Sequence, residues 1–158
     1  LIYNEIFIGL SLQQVNGTFI CKLFDMFYYS TVQLIYILYL SYNSVSFCKP
    51  YTSRPSNSEK YIVCRGFKGY NKDISNMMCS HMGKSVLPIQ VPQEFIDCIN
   101  QYNEGYIGQQ ISFINHGLGY ILKKHVRHTK PTSRQLTKAK EWCKRYNITV
   151  NNECIYLR

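Results

Sequence analysis

The most constraining feature of the sequence is the run GTFICKLFD at residues 17–25, a predicted strand with a lysine in its middle. Apolar side chains occupy both faces of this run, a pattern typical of a strand that is covered on both sides in a parallel sheet. Lys22 does not fit such a strand. Its presence at this position therefore requires a specific reason.

The segments around this strand predict the element order α-β-α-β-β. Apolar residues recur at helical spacing in residues 3–15, and Asp25 is predicted to cap a second helix that runs to about residue 42. Strands are predicted at about 45–49 and 59–66. They are too close in sequence for a crossover helix, so we expect one of them to pair antiparallel with a neighbour. The predicted fold class is α/β, a parallel sheet with an antiparallel strand near its edge.

The chain after this region is predicted to have two further parts. Residues 69–119 form an irregular or helical connecting region, loop-like over 76–92 and more helical from about residue 93. Residues 120–158 form a basic extension, in which Thr132 and Gln135 have capping-box spacing and open a helix that runs to about Tyr146. The last residues, NITVNNECIYLR, predict a hairpin that turns at Asn151 and Asn152.

Positive charge is concentrated in this basic extension. The chain has a net charge of +9, and residues 120–158 contain ten lysines and arginines against two glutamates. This asymmetry favours a polyanionic partner, with nucleic acid ahead of a membrane surface. The candidate RNA-contacting residues of the helix are Arg134, Lys138, Trp142 and Arg145, and the alternative is an ordinary solvated charged face.

Cysteine usage and hydropathy narrow the class of protein further. Seven widely spaced cysteines without a CxxC pair argue against a disulfide framework or a metal site, so we expect a reducing intracellular compartment, cytoplasmic or nuclear. The apolar stretch 26–40 is shorter than the roughly 20 residues that span a bilayer, so we expect a buried helix and no membrane partner. The sequence begins with leucine inside an apolar run, which suggests a segment of a longer protein. Richness in Tyr, Asn, Ile and Lys suggests an AT-rich genome, and a viral origin is one hypothesis.

Lys22 and Glu59 are the main candidates for catalytic residues. Lys22 lies near the C-terminal end of its predicted strand, and Glu59 begins a strand that is expected to run in the opposite direction, so both should share one mouth of the sheet. A lysine amine whose pKa is lowered by burial or by a neighbouring cation can remove a proton from a hydroxyl group. A structural ion pair at the sheet end is the alternative.

A family resemblance is carried by NGTFICKLFD and by VSFCKPYTSRPSNSEKYIVCRGF. Residues 3–68 resemble the second half of the FtsJ/RrmJ-like ribose 2′-O-methyltransferases, especially the group that acts on capped mRNA. The resemblance implies a Rossmann-like class I methyltransferase fold over residues 1–68, S-adenosylmethionine as cofactor, and RNA, foremost capped mRNA, as substrate. A partner subunit is left open.

The resemblance also implies roles for individual residues. Lys22 resembles the family's second catalytic lysine, the base on the ribose 2′-hydroxyl, and Glu59 resembles the glutamate that orients this lysine and balances its charge. Ser53, Arg54 and Asn57 match the family's loop beside the substrate. The family's glycine-rich cofactor loop, first lysine and catalytic aspartate have no counterpart here. The cofactor site is therefore expected mostly upstream, and the segment alone is predicted to be inactive. The alternative is a catalytically silent methyltransferase-like module that binds RNA or a partner subunit.

Overall fold

Strand β1 spans Thr18–Leu23 and follows helix α1, which spans Ile2–Leu12. The computed structural model describes residues 1–122 and 131–154 of the chain. The other elements are α2 (Tyr29–Ser41), β2 (Tyr42–Cys48), β3 (Lys60–Phe67), α3 (Lys72–Ser80), α4 (Gln93–Leu122) and α5 (Ser133–Arg145). The first five elements have the predicted order α-β-α-β-β. The chain divides into two compact units, Leu1–Ile114 and Asn115–Arg158.

The three strands form one sheet in the order β1-β3-β2, and β3 is antiparallel to both neighbours. The expected antiparallel placement of β3 is confirmed, and both strand pairings among the described residues are antiparallel, so the parallel part of the predicted sheet does not occur in this part of the chain. β1 and β2 point in the same direction because α2 connects them as a crossover. The segment from Lys49 to Glu59 reverses the chain direction, so β3 enters between β1 and β2 and separates them.

The prediction that β1 is covered on both faces is also wrong. Cys21 and Leu23 are buried, whereas Ile20 and Phe24 on the other side are 59% and 46% exposed. β1 is an edge strand of the described sheet, and alternate side chains of a strand point to opposite faces. Lys22 therefore lies on the open face of the strand, which removes the apparent conflict between its charge and a buried strand.

The core of the first unit lies between this sheet and helices α1 and α2. Ile6 and Leu10 of α1 pack here, one turn apart, together with buried Ile37 and Leu38 of α2. Helix α2 begins at Tyr29, and its N-cap residue Tyr28 makes no side-chain capping bond, so the predicted cap at Asp25 is wrong. The reason is that residues 24–28 form an irregular segment before the helix begins.

Residues 69–119 are more regular than predicted. Helix α3 is capped by Asn71, whose side-chain oxygen accepts hydrogen bonds from the backbone of Asp73 and Ile74, at 3.0 Å each. This helix covers the beginning of the stretch predicted as loop, and the segment at 81–92 is irregular as expected. Helix α4 then runs for 30 residues from Gln93.

In the second unit, α5 has the predicted capping box. The Thr132 side chain accepts from the Gln135 backbone N–H, and the Gln135 side chain accepts from the Thr132 backbone N–H at 2.7 Å. Residues 147–154 contain no strand, and 155–158 lie outside the described residues, so the predicted hairpin is not seen in its described part. Residues 123–130 of the basic extension also lie outside the described residues.

The structure also describes the cysteines, potential metal ligands and apolar helices that the sequence raised. All seven cysteines are free thiols; Cys21 and Cys64 are buried, but Cys48 is exposed. Within residues 1–122 and 131–154 there is no group of three or more potential metal-ligating side chains. No helix in that same part of the chain is both long and apolar enough to cross a membrane.

Candidate active site

Lys22 and Glu59 form an ion pair at the end of the sheet. The Lys22 ammonium lies 3.4 Å from Glu59 Oε2, and the two side chains are 45% and 22% exposed, respectively. Lys22 is opposite Tyr61 in the β1–β3 register, which places its side chain on the same face as those of Glu59 and Tyr61. The ammonium also lies 5.0 Å from the ring centroid of Phe24, a cation–π contact. The structure thus brings together the two residues that the sequence placed at one mouth of the sheet.

Tyr61 holds the other oxygen of the Glu59 carboxylate. Its hydroxyl donates to Glu59 Oε1 at 3.0 Å. This hydrogen bond is the main cause that lowers the pKa of Glu59, and the hydrogen bond and charge of Lys22 lower it further. The same bond raises the pKa of Tyr61 because its phenolate would face a carboxylate. Glu59 is therefore held as an anion between Tyr61 and Lys22.

Lys49 fixes the backbone on which Glu59 stands. Its ammonium donates to the backbone oxygens of Asn57 and Glu59, at 2.8 and 2.7 Å, and to Asn57 Oδ1 at 3.1 Å. Burial lowers the pKa of Lys49, and the Glu59 charge partly opposes that shift. With these three bonds Lys49 closes the segment between β2 and β3. The position of Glu59 beside Lys22 therefore depends on this closure.

The three predicted loop residues all lie in that segment, with different surroundings. Asn57 accepts from Lys49, whereas Arg54 is exposed to solvent. The Ser53 hydroxyl oxygen is buried and has no hydrogen-bond partner among the described residues. Two tight turns shape the loop, with hydrogen bonds from Ser53 N to Pro50 O at 2.9 Å and from Asn57 N to Arg54 O at 3.2 Å. Of these three residues, Asn57 is the one that shares a hydrogen-bond donor, Lys49, with the backbone oxygen of Glu59.

Two residues of the site, Tyr61 and Lys49, are absent from the sequence prediction. Tyr61 could have been found from the period of two along a strand, because it must share a face with Glu59. Lys49 gives no such signal, since its three bonds depend on how the loop folds back. Both residues flank the segment whose pattern predicted Glu59.

The predicted RNA-contacting residues lie on α5 in the second unit. Arg134, Lys138 and Arg145 are exposed, and Trp142 is half-buried, with its ring centroid 5.1 Å from that of Tyr146. The opposite face of the helix lines an apolar cavity of about 450 Å³ through Leu136, Ala139 and Cys143. The helix therefore has the predicted separation of a basic face and an apolar face.

S-adenosylmethionine is the cofactor that the family resemblance implies. The segment between β1 and α2, residues 24–28, contains no glycine, and β2 follows α2 directly. A glycine-rich turn between a strand and a helix is the usual way for a backbone to approach a nucleotide cofactor. The described part of the chain does not fit the cofactor by this criterion.

The segment that contains the ion pair matches a known protein family. Residues 1–67 match the FtsJ-like methyltransferase family. The match contains β1, β2, β3 and the Lys22–Glu59 ion pair. It confirms the resemblance seen in the sequence.

Curated relatives extend this similarity. The chain is 38% identical over 112 residues to cap-specific mRNA (nucleoside-2′-O-)-methyltransferase 1 of Xenopus laevis, covering 66% of the chain and 13% of that protein. It is 33% identical over 152 residues to the Danio rerio protein of the same name, covering 89% of the chain and 18% of the relative. The chain is 34% identical over 126 residues to the Homo sapiens protein of the same name, covering 70% of the chain and 15% of the relative. The chain thus spans less than a fifth of the length of these relatives.

Proposed function

We propose that this chain provides part of the active site of an RNA ribose 2′-O-methyltransferase directed to the mRNA cap. The observation that carries the proposal is the Lys22–Glu59 ion pair at the end of β1, inside the segment that matches the FtsJ-like family. The relatives are named as cap-specific mRNA methyltransferases, which supports the substrate class. S-adenosylmethionine is the methyl donor that this family membership implies.

Methylation of a ribose hydroxyl requires that its oxygen lose a proton as it gains the methyl group. In its neutral form, the Lys22 amine can take this proton, which makes Lys22 the general base. The ammonium that results is stabilised by the Glu59 carboxylate, whose oxygen already lies 3.4 Å from the Lys22 nitrogen. Tyr61 keeps Glu59 ionised, because its hydrogen bond lowers the Glu59 pKa.

The chain's three predicted regions have separate roles in this proposal. Residues 1–68 are the C-terminal half of a Rossmann-like methyltransferase domain, in which Ser53, Arg54 and Asn57 contact the RNA near the reacting ribose. Residues 69–119 connect this half to the basic extension at 120–158. The 158 residues alone are inactive in this scheme, since they lack counterparts of the family's cofactor loop, first lysine and catalytic aspartate.

The alternative proposal is a catalytically silent methyltransferase-like module that binds RNA or a partner subunit. It is favoured by the lack of a glycine-rich strand-to-helix turn in the described residues. In that case the Lys22–Glu59 pair has only a structural role, as ion pairs at sheet ends often have.

Substitution of Lys22 separates these two functions. In the natural protein that contains these residues, Lys22→Ala should abolish methyl transfer to capped RNA, because the general base is lost, while RNA affinity changes little. Transfer is measured with radiolabelled methyl donor and affinity by fluorescence anisotropy. Lys72→Ala is the matched control, an exposed lysine on α3, and should retain transfer. Full transfer by Lys22→Ala, or none by the unaltered protein, would favour the silent module.

A further inference from the structure

A second polar site, a cavity of about 230 Å³, lies at the same end of the sheet as the ion pair. Its walls come from the segment after β1, from the loop between β2 and β3, and from α4. They include Asp25, Lys49, Asn57, Lys60, Tyr106 and Gln110. Neither Lys22 nor Glu59 lines this cavity. Side chains alternate along a strand, so Lys60 points to the face opposite Glu59 and Tyr61.

Lys60 is the unusual residue of this cavity, because it is a lysine that is only 4% exposed. Within the described part of the chain, its ammonium donates one hydrogen bond, to the Phe24 carbonyl oxygen, and lies 5.2 Å from the ring centroid of Tyr106. Among the described residues, no carboxylate lies within 4 Å of it. An ammonium group has three N–H donors, so Lys60 retains donor capacity toward the cavity.

The described residues that line the cavity do not balance its positive charge. Burial lowers the pKa of Lys60, Asp25 opposes this shift, and the neighbouring charge of Lys49 adds to it. Lys49 has used its three donors on the loop but still contributes its positive charge. Two ammonium groups thus face one exposed carboxylate. A bound anion would compensate part of the cost of burying Lys60.

The size and lining of the cavity restrict the class of anion. At about 230 Å³ it is smaller than the roughly 300 Å³ at which pockets for whole small molecules begin. It therefore suits a single group of a polymer. Amide side chains of Asn57, Gln109 and Gln110 line it and offer further hydrogen bonds to oxygen atoms.

We propose that this cavity binds one phosphodiester group of the RNA strand whose ribose is presented to Lys22. This inference rests on the proposed function, which identifies the ligand as the RNA substrate. Lys60 supplies the charge-assisted hydrogen bond, and Lys49 adds its charge. Asn57 and Lys49 connect the cavity to the backbone of Glu59, so a phosphate held here is registered relative to the ion pair.

The first test changes charge at the cavity wall without altering Lys60. Ile107 lines the cavity and is 36% exposed, so Ile107→Glu and Ile107→Gln should both fold. The two variants have nearly the same shape and differ by one charge. Ile107→Glu should bind a short capped RNA more weakly than Ile107→Gln at low salt, and the difference should shrink as salt is raised. Equal affinities of the two variants would overturn the proposal.

The second test measures the salt dependence of RNA binding. Lys60→Met should lower the slope of log affinity against log salt by about 0.7, the value for one phosphate contact on a single strand. Lys72→Met, at an exposed position, is the control and should leave the slope unchanged. A slope for Lys60→Met equal to that of the unaltered protein would contradict the proposal.

Lys60 can also be observed directly, with its Cε carbon labelled for NMR. A shift of this signal on addition of capped RNA supports the phosphodiester site. An additional shift with inorganic phosphate shows that the cavity also binds free phosphate. The absence of a shift with both ligands contradicts the proposed phosphodiester site. These readouts are independent of methyl transfer. Loss of transfer in Lys22→Ala tests the proposed function, whereas RNA binding by the cavity variants tests this site.

Discussion

At the scale of single residues, the state of the candidate active site depends on Tyr61. Glu59 sits beside solvent at the end of a sheet, where a carboxylate would ordinarily titrate near its usual pKa of about 4.3. The hydrogen bond from the Tyr61 hydroxyl is the first cause that moves the pKa of Glu59 below that value, ahead of the contributions of Lys22. Tyr61 therefore sets the lowest pH at which Glu59 can support Lys22.

Removal of this hydroxyl should change the acid limit of the ion pair. A carboxylate with a lowered pKa stabilises the fold above its usual pKa, and that contribution disappears as the pH falls through the folded-state pKa. In Tyr61→Phe the pKa of Glu59 should rise, so the ion pair should be lost at a higher pH than in the unaltered protein. The measurement is an NMR titration of the Glu59 side-chain carboxyl carbon. Tyr70→Phe, at an exposed tyrosine outside the site, serves as control, and the same midpoint in Tyr61→Phe and Tyr70→Phe would show that the hydroxyl has no such role.

The sequence predicts that Lys22 and Glu59 lie together but does not predict their surroundings, for physical reasons. Lys22 and Glu59 could be paired in advance because strand direction and strand ends depend on local patterns. Their surroundings could not, since coverage of β1 depends on which elements pack against it and Ile20 is left exposed. Lys49 cannot be predicted from the sequence because its bonds to Asn57 and Glu59 follow from the path of a loop, on which periodicity gives no information.

At the scale of elements, α2 is tied to the irregular segment after α3 by one buried glutamine. Gln33 is 1% exposed, and its amide nitrogen donates to the backbone oxygens of Leu87 and Ile89 at 2.7 Å each. Its side-chain oxygen accepts from the backbone N–H of Leu87 at 3.0 Å. Gln33 thus forms hydrogen bonds with three backbone groups of an irregular segment, whose backbone is not paired in a helix or a strand.

Substitution of Gln33 by leucine should destabilise the first unit. The apolar side chain fills a similar volume but leaves the backbone groups of Leu87 and Ile89 without partners, at a cost of about 1–3 kcal/mol for each group that water cannot reach. We expect the free energy of unfolding in urea to fall by about 2–4 kcal/mol. Gln93→Leu replaces an exposed glutamine on α4 and should change it by less than about 0.5 kcal/mol. Similar losses in both variants would contradict the role of Gln33.

In helix α4, intrinsic helix propensity and tertiary packing act in opposite directions. It contains Gly105, Gly108, Gly117 and Gly119, each of which weakens a helix interior by up to about 1 kcal/mol relative to alanine. The sequence nevertheless predicts more helical structure from about residue 93, and α4 begins at Gln93. In the first unit, tertiary contacts offset this weakening by glycine. Phe95 packs on Tyr36 and Tyr102 packs on Phe47, with ring centroids 5.0 Å apart in each pair.

At the scale of the whole molecule, the two units differ in charge. The excess of positive charge lies in residues 120–158, whereas the Lys22–Glu59 site belongs to a nearly neutral first unit. In the proposed function, the first unit positions a ribose and one phosphodiester, and the basic face of α5 contributes sequence-independent attraction to the RNA backbone. Affinity and chemistry should therefore respond to different sets of substitutions.

Neutralisation of the basic face of α5 tests this division. Arg134, Lys138 and Arg145 changed together to glutamine should weaken RNA binding and reduce the salt slope by up to about 2, since each phosphate contact on a single strand contributes about 0.7. The control changes Lys68, Lys72 and Lys84, three exposed lysines of the first unit, to glutamine and removes the same charge. Affinity is measured by anisotropy between about 50 and 200 mM salt. If both triple variants lose the same slope, the effect comes from net charge alone and α5 is an ordinary solvated face; a loss confined to the α5 variant supports a contact surface for RNA.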